Sequence, residues 1–135
     1  AERAATISPN LRFTDDLLDL CASCDYITIH VPATPKTKGM IGADEIAAMK
    51  EGAAFLNFSR DTLVDNDAMR AGLTSGKVRR YVTDFATPEV MTMEGALVLP
   101  HLGASTAEAE ENCAEMAVRE VMDYLETGKK VHCVN

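Results

Sequence analysis

Residues 53–58, with the sequence Ala-Ala-Phe-Leu-Asn-Phe, form a nearly continuous apolar run that begins directly after Glu51-Gly52. A short apolar run that follows a turn is typical of a strand covered on both faces, and such strands occur mainly in parallel sheets. Parallel strands need long crossover connections, which are usually helices. The run therefore predicts an α/β fold in which strands and helices alternate along the chain.

Other segments supply the remaining predicted strands, because they are rich in β-branched, aromatic or other apolar residues. These segments are 11–13, 25–31, 80–85 and 97–99. The segment 86–95 is expected to be a loop.

Helices are predicted between the strands from capping residues and from the spacing of apolar side chains. Thr14 is expected to cap the first helix, and a second covers 43–50. A third runs over 66–74 after an Asp65 cap, and Gly76 is expected to end it. Alternating elements of this length predict a doubly wound parallel sheet with right-handed crossovers.

The longest helix is predicted to follow a capping box formed by Ser105 and Glu108 and to end near Thr127, before Gly128. The apolar residues that recur at helical spacing predict its buried face. They are Ala114, Ala117, Val118, Val121 and Leu125.

Composition excludes two classes of function. The formal net charge of −8, with lysines and arginines only in short scattered pairs, argues against a nucleic-acid-binding surface. No apolar run approaches the ~20 residues of a membrane span. The 135 residues predict a single core.

Cysteine usage predicts a reducing, cytoplasmic location. The 4 cysteines occur without a signal peptide or the density of a secreted disulfide scaffold. Cys21 and Cys24 have the spacing of a redox or metal pair, but no second pair accompanies them. Small buried residues are therefore the preferred interpretation of both, and no metal site is expected.

Polar residues occur where successive predicted strands end: His30, Ser59-Arg60, Asp84 and His101. The carboxyl ends of parallel strands meet at one edge of a sheet, where open α/β sheets bind their ligands. These side chains are therefore expected to form one site.

The strand-end motifs resemble those of the D-isomer-specific 2-hydroxyacid dehydrogenases. The matching segments are His30–Pro32, Thr34-Pro35 with Thr37, Gly39–Gly42, Asn57–Arg60, Leu63–Asp65, Thr83–Phe85 and Pro100–Thr106. The resemblance implies the later half of a Rossmann-like NAD-binding domain over 1–103, a crossover helix over 104–127 and a tail over 128–135.

The resemblance also implies the site residues. The catalytic set is Arg60, Glu89 and His101. The NAD contacts are Val31, Pro32, Phe58, Ser59, Arg60, Asp84, His101, Leu102, Gly103 and Ala104. The expected substrate is a small 2-hydroxy or 2-keto acid, D-3-phosphoglycerate foremost, and the expected assembly is a homo-oligomer.

The residue types suit reduction of a 2-keto acid. Histidine, with an unperturbed pKa of about 6.5, suits the proton donor, and a carboxylate at Glu89 favours the imidazolium. The planar guanidinium of Arg60 suits a substrate carboxylate. Asp84 is expected to accept a hydrogen bond from the nicotinamide carboxamide.

Three features depart from the family pattern. The loop from Asp84 to Glu89 keeps the family's five-residue interval from aspartate to glutamate, but its other residues differ, which makes Glu94 a possible substitute for Glu89. Asp61 stands where the family usually has glycine, which predicts a constrained backbone and a negative charge beside Arg60. The Gly-x-Gly-x-x-Gly fingerprint is absent, and we expect it to precede Ala1 in a longer protein. The chain alone is therefore expected to be inactive.

Three alternatives remain open. Glu94 is a second candidate for the partner of His101. The chain is otherwise a dehydrogenase-like scaffold that binds nucleotide or a protein without turnover, or a half-domain that needs a partner chain. The choice between NAD and NADP is also open.

Overall fold

The computed structural model describes residues 10–132, and the chain divides into two compact units, residues 1–100 and 101–135. The first unit contains a sheet of 4 parallel strands in the order β1-β2-β3-β4. The strands are β1 (Tyr26–Ile29), β2 (Ala53–Asn57), β3 (Val78–Thr83) and β4 (Ala96–Val98). The predicted parallel α/β fold is confirmed.

Helices connect the strands of this unit. They are α1 (Leu17–Ser23), α2 (Ala43–Ala48), α3 (Asn66–Ser75) and the short α4 (Pro88–Met91), with a 3-10 turn over Asp61–Leu63. The second unit contains α5 (Ala107–Thr127). Among the described residues, no helix is long and apolar enough to cross a membrane.

The core of the first unit lies between one face of the sheet and its helices. Alternation along β1 buries Ile27 and Ile29, which pack with Phe55 and Tyr81 of the neighbouring strands. On the opposite face Tyr26 is 69% exposed. β2 is buried along most of its length, as its continuous apolar sequence predicts.

Two helix ends confirm predictions that depend on a few adjacent residues. The carboxylate of Asp65 accepts a hydrogen bond from the backbone N–H of Ala68 and caps α3. Gly76 ends the helix with a left-handed φ of 83°, a conformation that glycine adopts without steric cost.

Gly72 is required for close packing of α3. An added Cβ at this position would lie 2.7 Å from Cγ2 of Ile46 and 3.2 Å from Cγ2 of Val78. The absence of a side chain therefore lets α3 approach both α2 and β3.

The N-terminal predictions were wrong. Residues 11–13 are not a strand, and Phe13 is 63% exposed. Asp16, rather than Thr14, caps α1 by accepting hydrogen bonds from the backbone N–H groups of Leu18 and Asp19. The Thr14 hydroxyl instead accepts from the N–H of Asp16, a local bond to the backbone two residues further along that lies before the helix.

The loop prediction for 86–95 was also wrong, because this segment contains α4. Thr87 caps α4 by accepting from the N–H of Val90, and Pro88 occupies its first turn. Four residues are too few to show an apolar period, so only the Thr-Pro-Glu start signal marks this helix in the sequence. β3 lies two residues earlier than predicted, and Asp84 directly follows it.

The start and the packing of α5 differ from prediction. Thr106, rather than Ser105, is the N-cap and accepts from the N–H of Ala109 at 3.1 Å. No residue of α5 is buried, and Leu125 is 76% exposed. The other four residues of the predicted buried face, Ala114, Ala117, Val118 and Val121, are exposed as well. Helical spacing identifies residues that share a face, whereas burial depends on what packs against that face. The prediction of one core holds only for the first unit.

The predicted burial of the cysteine pair is confirmed for Cys21 and holds in part for Cys24. Cys21 is buried, Cys24 is half-buried, and both are free thiols. Burial raises the pKa of Cys21, and the charge of Glu45 raises it further. In the described part of the chain, no group of histidine, cysteine or acidic residues is arranged to hold a metal ion. Cys133 lies outside the described residues.

Candidate active site

The first three strands end in register. The last residue of β2, Asn57, pairs with Ile29 of β1 on one side and with Thr83 of β3 on the other. The segments that follow these strands therefore emerge at the same edge of the sheet. They are Val31-Pro32, Phe58–Arg60 and Asp84, which the family resemblance implies as cofactor contacts.

A hydrogen bond joins the first two of these segments. The hydroxyl of Ser59 donates to the backbone carbonyl of Val31 at 2.7 Å. Both residues are half-buried. The bond fixes the spacing between the ends of β1 and β2. We call the two joined segments, Val31-Pro32 and Phe58–Arg60, the strand-end rim.

Asn57 organises the segment that carries Arg60. Its side chain is fully buried, its Nδ2 donates to the carbonyl of Arg60 at 2.8 Å, and its Oδ1 accepts from the N–H of Ser59 at 3.1 Å. Asn57 was not among the predicted site residues. The signal that marks it is a lone amide in an otherwise apolar strand, where a buried polar group must find partners.

Arg60 is exposed, and its Nη1 donates to the carbonyl of Ser59 at 2.6 Å. Within residues 10–132 no ion pair includes Arg60. Its guanidinium has five donors, so most of its binding capacity is available to an anion from solution.

Asp61 does not constrain the backbone after Arg60, contrary to expectation. In the described chain the only non-glycine residue with positive φ is His132, so Asp61 has a conformation open to any residue. Its Oδ1 accepts from the N–H of Thr62 at 2.8 Å and holds the 3-10 turn.

A cavity of about 510 Å³ lies beside this turn. Its lining includes Lys38, Tyr81, Phe85 and the carboxylate-bearing Asp61, Asp65, Asp67 and Glu89. Arg60 is not part of this lining. The structure therefore brings Glu89 together with Asp61 in this cavity, and Arg60 lies outside its lining.

Tyr81 forms the buried wall of this cavity. Its burial raises the pKa of the phenol, and the nearby charge of Asp61 acts in the same direction. Hydrogen bonds with Asn57 and Thr83 partly oppose this increase. The phenol therefore stays neutral well above neutral pH.

The two candidate carboxylates lie at opposite ends of strands. Glu89 belongs to α4, which follows the carboxyl end of β3. Glu94 is an exposed turn residue just before β4, and the next residue, Gly95, accepts from the N–H of Tyr81. Glu94 is thus at the amino end of its strand.

The remaining predicted site residues belong to the second unit. His101, Leu102, Gly103 and Ala104 are exposed and precede the Thr106 cap of α5. The carbonyl of Leu102 accepts from the N–H of Ser105 at 3.0 Å, which closes a turn over these residues.

The other two histidines have local partners. Nε2 of His30 lies 2.9 Å from the Thr28 hydroxyl. Nδ1 of His132 lies 2.7 Å from a carboxylate oxygen of Glu120.

The residues after β1, β2 and β3 fit the nicotinamide end of a dinucleotide. Asp84 is a half-buried carboxylate at the strand ends, and a carboxylate accepts hydrogen bonds from an amide NH2. The strand-end rim lies at the same edge of the sheet. The printed sequence has no glycine-rich turn of the kind that binds a pyrophosphate.

Comparison with known proteins shows the family of the chain. Residues 2–103 match the family model described as the D-isomer specific 2-hydroxyacid dehydrogenase, NAD binding domain. The D-3-phosphoglycerate dehydrogenase of Methanocaldococcus jannaschii is 35% identical over 124 residues, which cover 87% of this chain and 24% of that protein. Glyoxylate/hydroxypyruvate reductase B of Cronobacter sakazakii is 34% identical over 133 residues, covering 93% of this chain and 41% of the reductase.

A solved structure shows the same fold. The D-isomer specific 2-hydroxyacid dehydrogenase of Xanthobacter autotrophicus Py2, in complex with NADPH and MES, superposes with a TM-score of 0.70 at 27% identity. The match covers 86% of this chain and 50% of that one. The chain thus spans half or less of the relatives named here, and it belongs to the D-isomer specific 2-hydroxyacid dehydrogenases, a family that uses a nicotinamide dinucleotide, through their NAD-binding domain.

Proposed function

We propose that this chain is part of an NAD-dependent dehydrogenase that oxidises D-3-phosphoglycerate to 3-phosphohydroxypyruvate, the entry reaction of serine biosynthesis, in the cytoplasm. The observation that carries the proposal is the strand-end rim. Asn57 and Ser59 hold the segment beside β1 by buried or half-buried hydrogen bonds and leave the guanidinium of Arg60 exposed. An anchored backbone with an exposed cation suits recognition of a carboxylate.

We assign to Arg60 the substrate carboxylate and the adjacent carbonyl oxygen. A bidentate contact would fix the orientation of the acid and polarise its carbonyl. Asp84 would accept from the carboxamide of the cofactor and select the ring face that meets the substrate. The bound cofactor supplies or accepts the hydride.

We assign proton transfer to His101. In the oxidation of the hydroxy acid it takes the hydroxyl proton, and in the reverse reaction it returns this proton to the carbonyl oxygen. Glu89 is the proposed carboxylate partner of His101 and would favour its protonated form during reduction. The remaining cofactor contacts are the residues predicted from the family resemblance: Val31, Pro32, Phe58, Ser59, Leu102, Gly103 and Ala104.

The choice of D-3-phosphoglycerate rests on the names of relatives. Several relatives at 32–35% identity are D-3-phosphoglycerate dehydrogenases, whereas the Cronobacter protein is a glyoxylate/hydroxypyruvate reductase. D-glycerate with hydroxypyruvate, and glyoxylate, are therefore the competing substrates. The alternative of a scaffold without turnover is favoured by the negative charge of Asp61 next to Arg60 and by the choice between Glu89 and Glu94, which the sequence leaves open. The backbone at Asp61 is unstrained and gives this alternative no further support.

The experiment uses the whole protein that contains this chain. NADH absorbance is followed with 3-phosphohydroxypyruvate, hydroxypyruvate and glyoxylate, and NADPH is compared with NADH. We expect the largest kcat/KM with 3-phosphohydroxypyruvate and NADH. A larger value with hydroxypyruvate or glyoxylate would reassign the substrate. The absence of turnover with every acid, in a protein that binds NADH, would overturn the enzyme assignment in favour of the scaffold.

A further inference from the structure

The short helix α4 carries Glu89 and needs support from outside. Isolated helices of a single turn are unstable in water, because nucleation fixes several residues for one hydrogen bond. Thr87 caps its start, and Val90, which is 3% exposed, anchors one side chain in the core. Neither contact binds the backbone carbonyl groups of Glu89 and Thr92.

Arg70 of α3 contacts these two carbonyl groups. Its Nη2 donates to the carbonyl of Glu89 at 2.8 Å and lies 3.1 Å from the hydroxyl of Thr92. Its Nη1 lies 3.4 Å from the carbonyl of Thr92. The Thr92 hydroxyl in turn donates to the carbonyl of Glu89 at 2.9 Å. One guanidinium and one hydroxyl thus converge on the Glu89 carbonyl.

A guanidinium is well suited to bind two carbonyl groups at once, as Arg70 does here. The C-terminal carbonyls of a helix carry partial negative charge, and a planar fork can bind two of them at once. In the described part of the chain, Arg70 forms no ion pair with a carboxylate. Its charge is therefore directed at the turn between α4 and β4.

We propose that Arg70 is a positioning residue for Glu89, which it acts on through the backbone. The Glu89 side chain is exposed, so no core packing fixes its carboxylate. Its location depends on the α4 backbone, which Arg70 and Thr92 tie to α3. This inference rests on the proposed role of Glu89 as partner of His101.

The test compares pH profiles of kcat/KM for keto-acid reduction in the whole enzyme. Glu89→Gln is the reference variant and should move the alkaline limb to lower pH, since the protonated donor loses its carboxylate partner. Arg70→Met should move the same limb in the same direction and lower kcat/KM at neutral pH by about tenfold, the scale expected for a misplaced catalytic group. Arg70→Lys keeps the charge but loses the planar fork of two nitrogens, so its kcat/KM and the position of its alkaline limb should lie between those of Arg70→Met and wild type.

Two further variants keep the test decisive. Thr92→Val removes the hydroxyl that bridges Arg70 and Glu89, and should shift the profile even if Arg70→Met does not fold. Arg80→Met, at an exposed arginine of β3, is the matched control and should keep the wild-type profile. The double variant Arg70→Met/Glu89→Gln should have a kcat/KM no lower than that of Glu89→Gln alone, because the two substitutions affect the same carboxylate.

The outcomes separate this inference from the proposed function. A shifted profile in Glu89→Gln with wild-type profiles in the Arg70 and Thr92 variants would overturn the positioning role alone. Additive losses of kcat/KM in the double variant would also overturn the positioning role. An unshifted profile in Glu89→Gln would instead remove Glu89 from the proposed mechanism, and the role of Arg70 with it.

Discussion

The buried side-chain amide of Asn57 holds the backbone carbonyl of Arg60 at 2.8 Å, so the position of the exposed cation depends on a side chain inside the sheet. Asn57→Leu would leave that carbonyl and the N–H of Ser59 without their partner. We expect a loss of about 1–3 kcal/mol in the free energy of unfolding, the usual range for unsatisfied buried polar groups.

The same substitution should raise KM for the keto acid in the whole enzyme, because Arg60 loses its support. Urea unfolding and steady-state kinetics measure the two effects. Asn112→Leu, at an exposed position of α5, is the matched control and should change neither quantity substantially. Wild-type KM in Asn57→Leu would show that Arg60 is held by other contacts.

Arg60→Lys should weaken substrate binding, because an ammonium cannot form two parallel hydrogen bonds to a carboxylate. Loss of one charge-assisted hydrogen bond corresponds to about 1.5–3 kcal/mol, hence about 10- to 100-fold in kcat/KM. Kinetics with 3-phosphohydroxypyruvate measure this, with Arg80→Lys as control. An unchanged kcat/KM in Arg60→Lys would place the carboxylate elsewhere.

His101→Asn should lower turnover by ~10² or more, the scale of general acid–base catalysis, while leaving NADH affinity nearly intact. Single-turnover reduction and a fluorescence titration with NADH separate chemistry from binding. His132→Asn is the matched control, because His132 pairs with Glu120 and has no proposed role in the reaction. Full activity of His101→Asn would contradict the dehydrogenase mechanism.

Gly72→Ala should destabilise the first unit. The new methyl group would lie 2.7 Å from Cγ2 of Ile46, well inside van der Waals contact, and α3 would have to move. Overpacking of this kind costs about 1–3 kcal/mol. Urea unfolding measures the effect, and Ala71→Ser on the exposed side of α3 should cost only about 0.5 kcal/mol. Equal stability of Gly72→Ala and wild type would show that α3 can shift without loss.

Tyr81 should make stability fall at high pH. Because burial raises the pKa of its phenol, its contribution is complete below the unfolded value of about 10 and is lost as pH rises through the folded pKa. The stability advantage of wild type over Tyr81→Phe should therefore narrow above about pH 10. Urea unfolding at several pH values measures it. Tyr26→Phe, at a residue 69% exposed, should give a difference that does not vary with pH.

The sequence alone determined the elements whose signals lie within a few residues. The Asp65 cap, the Gly76 end and the apolar run of β2 each depend on local hydrogen bonding or on a simple apolar pattern, and all were confirmed. The motifs at the strand ends likewise indicated the family, which the match over residues 2–103 shows.

Only the tertiary structure decided which side chains hold the candidate site. The bonds from Ser59 to Val31 and from Arg70 to Glu89 join residues 28 and 19 positions apart. Such bonds arise because three parallel strands end in register and α3 packs beside β3, which no local pattern encodes. The exposed face of α5 illustrates the same limit. The period of a helix determines which residues share a face, whereas the neighbouring structure determines whether that face is buried.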